Sequence, residues 1–247
     1  MGVFPGWVSQ PGHPQTKGTL VTAQAAVLFD VDGTLVDSNY LHVHAWRLAF
    51  AEVGIEAESW RIHRAIGMDG SILVRLLSDD APEDVRARLK DLHSRYYLES
   101  AALLSPLPGA RPLLERIAAL NLPVVLATSA PDDELAVLRK VLDCDDLVAA
   151  VTSSADVDVA KPEPDIIGIA LDRIGATAER AVFVGDAVWD VAACVRAGVP
   201  SIGVLSGGVS RAELETAGAV GVFDNAEDLL AHLDQTPIAD LGRAGHG

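Results

Sequence analysis

Two pairs of aspartates are the side chains of this chain that could do metal or acid–base chemistry. Asp30 and Asp32 lie two residues apart in the segment DVDGTL, and Asp186 and Asp190 lie four apart in GDAVWD. Each pair also has a purely structural interpretation: an Asx-type turn for the first, and a strand-to-helix turn favoured by the helix dipole for the second. A calcium loop is excluded for the first pair, because Gly33 comes too early in the segment.

Two further segments supply hydroxyl groups and a positive charge. Thr128 and Ser129 are adjacent in LATSAPD, and Lys161 precedes a proline in AKPEP. Ser129, with Asp132 three residues later, also fits the N-cap of a helix. A lone lysine is usually a solvated surface charge, but Pro162 restricts Lys161 to an extended backbone that aims it in one direction.

The elements that must position these segments alternate between strands and helices. Short apolar runs bounded by turn signals predict buried strands at 25–29, 122–127, 181–184 and 201–204. Apolar residues at helical spacing predict helices at 132–142, 163–174, 188–197 and 226–233. This alternation predicts an α/β fold with a parallel sheet and right-handed crossovers. The four segments lie just after its strands.

One stretch, residues 38–105, shows helical patterns and no convincing strand. It follows the first predicted strand, so it is expected to lie over the carboxyl ends of the strands, where open α/β sheets bind ligands. We therefore predict a helical cap at 38–105 inserted into a core formed by 25–37 and 106–235. Residues 1–24 and 236–247 are predicted to be flexible tails.

The charge of the chain limits its partners. With 35 acidic and 19 basic side chains the formal charge is −16 at pH 7, which disfavours binding to nucleic acids and to anionic membranes. No apolar stretch is long enough to span a membrane, and no secretory signal is recognisable. Cys144 and Cys194 form neither a disulfide framework nor a zinc site, so we expect two small buried residues. We expect a cytoplasmic protein that is a monomer or a small homo-oligomer.

In this order and spacing, the four segments resemble the haloacid-dehalogenase-like hydrolase superfamily. The resemblance covers about residues 25–235, and DVDGTL is its most specific part, supported by the Lys-Pro and GDAVWD segments. The helical insert is similar to the cap of the phosphoglycolate phosphatase and β-phosphoglucomutase subgroup. The resemblance implies a Rossmann-like three-layer core with a parallel sheet, plus an inserted all-helical cap domain.

The resemblance also implies phosphoryl transfer through an aspartyl-phosphate. Asp30 would be the nucleophile, and Asp32 would protonate the leaving alcohol and then activate the attacking water. Two unit charges ~4 Å apart repel by about 4 kcal/mol at an effective dielectric of roughly 20, so a carboxylate attacking a phosphate dianion needs positive charge nearby. Phosphoryl oxygens would be bound by Lys161, Thr128 and Ser129.

A metal ion would supply the remaining positive charge. Mg²⁺ binds through one or two carboxylates together with phosphate oxygens and water. By resemblance, its ligands would be Asp30, Asp186 and the backbone carbonyl of Asp32. Asp190 would be a further ligand or would orient the others.

The retained acid at position 32 favours phosphate chemistry over dehalogenation, because a halide leaves without a proton. His42 and Trp46 resemble the cap helix of the mutases and make His42 a candidate substrate-binding residue, although a cap histidine without a catalytic role fits equally. Where the mutase cap has an arginine for a second phosphate, this chain has Gly70. We therefore expect a Mg²⁺-dependent phosphatase acting on a small phosphorylated metabolite, such as a sugar phosphate or phosphoglycolate. The alternatives are a hexose-phosphate mutase and, more remotely, a non-enzymatic binding or regulatory protein.

Overall fold

The computed structural model of the chain describes residues 24–156 and 161–244. The strands in these ranges are β1 (Gln24–Phe29), β2 (Val36–Asp37), β3 (Ser105–Pro106), β4 (Val124–Ala127), β5 (Val148–Thr152), β6 (Ala176–Gly185), β7 (Ser201–Val204) and β8 (Gly221–Phe223). The α-helices are α1 (Asn39–Glu52), α2 (Ser59–Ala65), α3 (Gly70–Leu77), α4 (Glu83–Glu99), α5 (Ala110–Ala119), α6 (Asp132–Leu142), α7 (Asp165–Ile174), α8 (Val188–Ala197), α9 (Arg211–Ala217), α10 (Ala226–Ala231) and α11 (Pro237–Ala244).

Six of the strands form one parallel sheet in the order β5-β4-β1-β6-β7-β8. Strand β1 lies near the centre, with β4 on one side and β6 on the other. The strand order therefore reverses at β1, and a crevice opens there at the carboxyl ends of the strands, where such sheets bind ligands. This topology confirms the predicted α/β fold.

Both faces of the sheet are buried, which explains why its strands are continuously apolar. Successive side chains of a strand point to opposite faces. In β1, Val27 and Phe29 pack into the apolar cluster on one face, and Ala26 and Leu28 pack into the cluster on the other. Helices cover both clusters, so the core has three layers.

The helices α1 to α4, which we call the helical insert, lie between β2 and β3. These two short strands pair antiparallel, with Val36 opposite Pro106, so the chain leaves and re-enters the core side by side. The insert has an apolar cluster of its own, which includes Trp46, Phe50 and Leu89. These observations support the proposed division of the chain into a core and a cap.

Several predicted boundaries and elements differ from the structure. Helix α7 begins at Asp165 and not at residue 163, because Pro164 disfavours helical backbone in the residue before it. Strands β5 and β8 were not predicted. In β5, a short sequence with two alanines lies at the edge of the sheet and is only partly buried, so it lacks the apolar run of a central strand.

The C-terminal segment is the largest correction to the predicted organisation. The predicted tail at 236–247 is wrong over Pro237–Ala244, which forms helix α11. Ile238 is fully buried in the same apolar cluster as Val27 and Phe29, and Pro237 suits the first position of a helix. Residues 245–247 and residues 1–23 of the other predicted tail lie outside the described residues, while Gln24 opens β1.

Two other predictions concern the cysteines and membrane-spanning segments. Cys144 and Cys194 are both free and buried, as expected. Among the helices of residues 24–156 and 161–244, none is sufficiently long and apolar to cross a bilayer.

Candidate active site

A buried lysine lies between two aspartates at the carboxyl edge of the sheet. Lys161 Nζ is 2.7 Å from Asp30 Oδ1 and 2.7 Å from Asp190 Oδ1. All three side chains are buried. Burial alone would lower the pKa of Lys161, but the charges of Asp190 and Asp30 outweigh it and raise the pKa of Lys161 above its ordinary value. Lys161 is therefore charged at neutral pH.

Asp186 joins Asp30 and Asp190 in a cluster of three buried carboxylates. Each offers an oxygen within 4.8 Å of the others. Asp30 directly follows β1 and Asp186 directly follows β6, and these strands are neighbours whose last pairing is Phe29 with Val184. Asp190 comes from the first turn of α8. The sheet topology thus brings together residues that are separated by up to 160 positions in the sequence.

Once ionised, the three carboxyl groups of the cluster carry more negative charge than the single ammonium group of Lys161 can balance. Burial raises the pKa of Asp30 to about 7, with the charges of Asp190 and Asp32 adding to the effect and Lys161 opposing it. Burial, together with Asp190 and Asp30, also raises the pKa of Asp186 well above its ordinary value. One ammonium group therefore does not balance three carboxylates.

The oxygen donors of this cluster fit Mg²⁺. Three carboxylates converge in a buried site. Asn39 Nδ2 donates to Asp186 Oδ2 over 2.8 Å, while Asn39 Oδ1 is buried there and has no hydrogen-bond partner among the described residues. Oxygen ligands, and carboxylates above all, are those that this hard cation takes in proteins. A divalent cation would also balance the excess negative charge.

Gly207 and Gly33 have no side chains at positions where a Cβ atom would collide with Asp186 or with its neighbour Asn39. A Cβ atom on Gly207 would overlap Asp186 Oδ2. Gly33 has φ +70°, a conformation that L side chains rarely adopt, and a Cβ atom there would overlap the amide of Asn39. The hydroxyl of Thr34 completes the surroundings of Asp186 by donating to its Oδ1 over 3.0 Å.

Asp32 lies in different surroundings from Asp30, although the two belong to one short segment. Ser38 Oγ donates to Asp32 Oδ1 over 2.6 Å, and His42 Nε2 lies 3.1 Å from the same oxygen. Burial tends to raise the pKa of Asp32, but His42 and Ser38 outweigh it and the pKa is lowered. Two carboxylates with opposite pKa shifts suit two different chemical roles.

Thr128 and Ser129 lie at the end of β4, next to β1. Thr128 Oγ1 accepts a hydrogen bond from the Ala130 backbone N–H over 3.1 Å, so its own proton remains to be donated. Ser129 Oγ is buried and finds no hydrogen-bond partner in the part of the chain that the structure describes. The alternative of Ser129 as a helix N-cap is wrong, because α6 begins at Asp132 and its N-cap residue is Pro131.

A cavity of about 410 Å³ lies between the helical insert and the core. Its lining includes His42, Trp46, Gly70, Lys90 and His93 from the insert, and Ser129 and Glu134 from the core. The predicted substrate-binding residues His42 and Ser129 therefore share one cavity. The insert also contacts the carboxyl edge of the sheet directly, because the Asp69 backbone N–H donates to the Lys161 carbonyl oxygen over 3.0 Å.

The sequence of this chain is similar to those of known hydrolases. A family model of haloacid dehalogenase-like hydrolases matches residues 24–198. The chain belongs to this hydrolase family. It is 32% identical to the phosphoglycolate phosphatase of Rhodospirillum rubrum over 214 residues, which cover 83% of this chain and 88% of that protein.

Solved structures share the fold of this chain. A hydrolase from Pseudomonas syringae is 38% identical, with a TM-score of 0.82, over 86% of this chain and 99% of that chain. A β-phosphoglucomutase from Clostridium difficile is 20% identical, with a TM-score of 0.77, over 88% of this chain and 98% of that chain. The second likeness is one of fold alone.

Five polar residues at the site of this hydrolase were not predicted. Ser38 and Asn39 come shortly after DVDGTL, at the start of a predicted helix, where a polar pair is usually interpreted as a cap. Thr34 lies inside the motif itself. His93 and Glu134 gave no signal, because a histidine and a glutamate on predicted helices are usually solvated, and only the tertiary fold buries them.

Proposed function

We propose that this hydrolase is a Mg²⁺-dependent phosphatase that cleaves a small phosphorylated metabolite through an aspartyl-phosphate on Asp30. One observation carries the proposal: the Lys161 ammonium is held 2.7 Å from Asp30 within a cluster of three buried carboxylates. A buried nucleophilic carboxylate beside a fixed cation suits attack on an anionic phosphoryl group. The family membership and the Rhodospirillum rubrum relative support the same chemistry.

In the first step, the carboxylate of Asp30 attacks phosphorus and the bond to the leaving oxygen breaks. Lys161 is placed to hold Asp30 in position and to reduce the repulsion between this carboxylate and the phosphoryl oxygens. The Thr128 hydroxyl, whose proton is not used within the described residues, would donate to one of these oxygens, and Ser129 Oγ would donate to another.

Asp32 would transfer the protons in both steps. It would give a proton to the leaving alkoxide oxygen and then accept one from the water that hydrolyses the aspartyl-phosphate. In the free protein His42 lowers the pKa of Asp32, which works against the acid role. An anionic phosphoryl group bound nearby raises the pKa of a carboxyl group, so substrate binding would favour the protonated form of Asp32.

Mg²⁺ would be held by Asp30, Asp186 and the backbone carbonyl of Asp32, with Asp190 as a further ligand or as the residue that orients Lys161. When bound, it supplies the positive charge that a carboxylate and a phosphate dianion need in order to approach. In the described structure both oxygens of Asp190 contact other protein groups, Lys161 through Oδ1 and the Ala187 backbone N–H through Oδ2. These contacts favour the orienting role.

The helical insert would act as a cap that admits the substrate and limits water. A cavity of about 410 Å³ suits a small metabolite, such as a sugar phosphate or phosphoglycolate, and does not suit a polymer. We also propose a cytoplasmic location and a monomer or small homo-oligomer. The strongly acidic chain remains a poor partner for nucleic acids and anionic membranes.

Gly70 favours hydrolysis over the mutase alternative. It lines the cavity and carries no side chain with which to hold the second phosphate of a sugar bisphosphate. A mutase would interconvert two hexose phosphates and release little phosphate. Phosphate release that stays low while a sugar bisphosphate stimulates isomerisation would therefore support the mutase.

The direct test is release of inorganic phosphate from a panel of phosphorylated metabolites, with and without Mg²⁺. We expect turnover of at least one member that depends on Mg²⁺ and is abolished in Asp30→Asn. A matched control is Asp240→Asn, which removes an exposed aspartate of α11 and should retain full activity. Mg²⁺-independent turnover, or appreciable turnover by Asp30→Asn, would contradict the proposal.

A further inference from the structure

Four buried or partly buried side chains form a continuous series of polar contacts between the helical insert and the core. His42 Nε2 lies 3.1 Å from Asp32 Oδ1, and His42 Nδ1 lies 3.0 Å from His93 Nε2. At the other side of its ring, His93 Nδ1 lies 3.5 Å from Glu134 Oε1. Asp32 and Glu134 belong to the core, whereas the two histidines belong to helices α1 and α4 of the insert.

Aromatic side chains hold both imidazole rings in place. His42 stacks on Tyr97, with ring centroids 4.0 Å apart and planes 8° apart. His93 stacks on Trp46 at 4.0 Å and 17°. Stacking limits how far each ring can tilt out of its plane, and within that plane each histidine points one nitrogen at each of its two neighbours.

Glu134 is a buried carboxyl group of helix α6 that faces His93. Its side chain is only 2% exposed. Within residues 24–156 and 161–244 its Oε1 atom forms no hydrogen bond, and His93 Nδ1 lies 3.5 Å from it. Burying a carboxyl oxygen without a hydrogen-bond donor costs free energy of folding. Its position next to His93, on the wall of the proposed substrate cavity, suggests that it acts on the imidazoles.

His42, His93 and Glu134 also lie close enough together to hold a metal ion. A metal ion requires donor atoms that converge on one point. His93, however, directs Nε2 to His42 and Nδ1 to Glu134, from opposite sides of its ring. The geometry therefore favours a series of polar contacts over a metal site.

We propose that His93 and Glu134 are positioning residues for Asp32, acting through His42. Glu134 orients the His93 ring, His93 occupies the Nδ1 side of His42, and His42 then presents Nε2 to the Asp32 carboxyl group. A histidine ring nitrogen is directed by the hydrogen bond that the other nitrogen makes. This inference rests on the proposed function, because it explains how the Asp32 carboxyl group is held in position for its proposed proton transfers.

Substrates with different leaving groups can distinguish this positioning role of His93 and Glu134 from a merely structural one. An alkoxide must be protonated as it leaves, so glycerol 2-phosphate and 2-phosphoglycolate require a well-oriented acid. The leaving group of p-nitrophenyl phosphate departs as a stable phenolate and requires none. Since kcat/KM reports only the steps up to phosphoryl transfer to Asp30, the ratio of kcat/KM for the two kinds of ester measures how well Asp32 serves as the acid.

The experiment compares these esters in three variants. His93→Phe keeps the stacked ring and removes both nitrogens, Glu134→Gln removes the charge at constant volume, and His93→Gln restores a polar atom toward His42. We expect His93→Phe to lose about 10-fold in kcat/KM on the alkyl esters and less than about 3-fold on p-nitrophenyl phosphate, within the range for partners of functional groups. Glu134→Gln should show the same selective loss, and His93→Gln should recover part of it.

The controls are His44→Gln and Glu56→Gln, which change exposed residues of the insert and should leave both substrates unaffected. Equal losses on alkyl and aryl esters, or no loss in Glu134→Gln, would overturn the inference. If His93→Phe does not fold, as its thermal melting would show, Glu134→Gln decides alone. Failure of the proposed function would look different, because the wild type would then release no phosphate from any ester, or Asp30→Asn would remain active.

Discussion

Glu134 should make the stability of this protein depend on pH, and Glu134→Gln should remove that dependence. Burial raises the pKa of Glu134 from 4.5 to about 7, and the nearby His42 offsets only part of the effect. Between these two values the folded protein keeps a proton that the unfolded chain has released. Since stability falls with pH wherever the folded state binds more protons, this group destabilises the fold progressively from about pH 4.5 to about pH 7.

The size of the effect follows from the shift. A change of one pKa unit corresponds to about 1.4 kcal/mol, so the shift of Glu134 amounts to about 3 kcal/mol. With its side chain 2% exposed, screening by solvent reduces this figure little. Glutamine has the same volume and stays neutral, so Glu134→Gln should gain about 2–3 kcal/mol relative to the wild type between about pH 5 and about pH 8.

The assay is urea unfolding of the metal-free wild type and the variant at both pH values, followed by circular dichroism and analysed for the free energy of unfolding. Glu56→Gln is the matched control, because Glu56 is exposed and its replacement should change stability by less than about 0.5 kcal/mol at either pH. A difference between Glu134→Gln and the wild type that is the same at both pH values would refute the reasoning.

Three further predictions concern the proposed catalytic groups. Lys161→Met leaves buried carboxylates without their cation and should lower the free energy of unfolding in urea by about 3–5 kcal/mol. Lys140→Met changes an exposed lysine and should lower it by less than about 0.5 kcal/mol. Equal losses of stability in the two variants would contradict this prediction. Gly207→Ala should raise the Mg²⁺ concentration for half-maximal activity about 10-fold. Gly168→Ala should not change it, because among the described residues beyond its own helix the added methyl group meets no atom within 4 Å. Asp32→Asn should lower turnover of alkyl phosphates at least about 10²-fold, and an unchanged rate would make Asp32 structural.

The part of the site that lies at strand ends could be predicted from the sequence. Asp30, Asp186 and Lys161 each lie in a short motif, and two of them directly follow an apolar run that only a buried parallel strand explains. Because the carboxyl ends of such strands meet at one edge, their convergence follows from topology. In the structure, Asp186 and Lys161 both lie within a few ångströms of Asp30.

The remainder depends on how separate helices pack, which periodicity does not reveal. His93 and Glu134 occupy ordinary positions on amphipathic helices, and their burial results from the placement of α4 against α6 and α1. Helix α11 is not predicted although Ile238 and Leu241 lie at helical spacing, because its eight residues are too few for a periodicity to be recognised. Asn39 lies in the stretch that is predicted to be helical, and a helical pattern does not indicate that its side chain donates to Asp186.

The most direct test of the account is chemical trapping of the phosphorylated residue. Asp32→Asn should slow hydrolysis of the intermediate, while p-nitrophenyl phosphate with Mg²⁺ should still phosphorylate the protein, because its leaving group needs no acid. Borohydride converts an aspartyl-phosphate to homoserine, which mass spectrometry of peptides locates. We predict homoserine at position 30 and none in Asp30→Asn. Release of nitrophenol without modification of Asp30, or modification of another residue, would contradict the proposed mechanism.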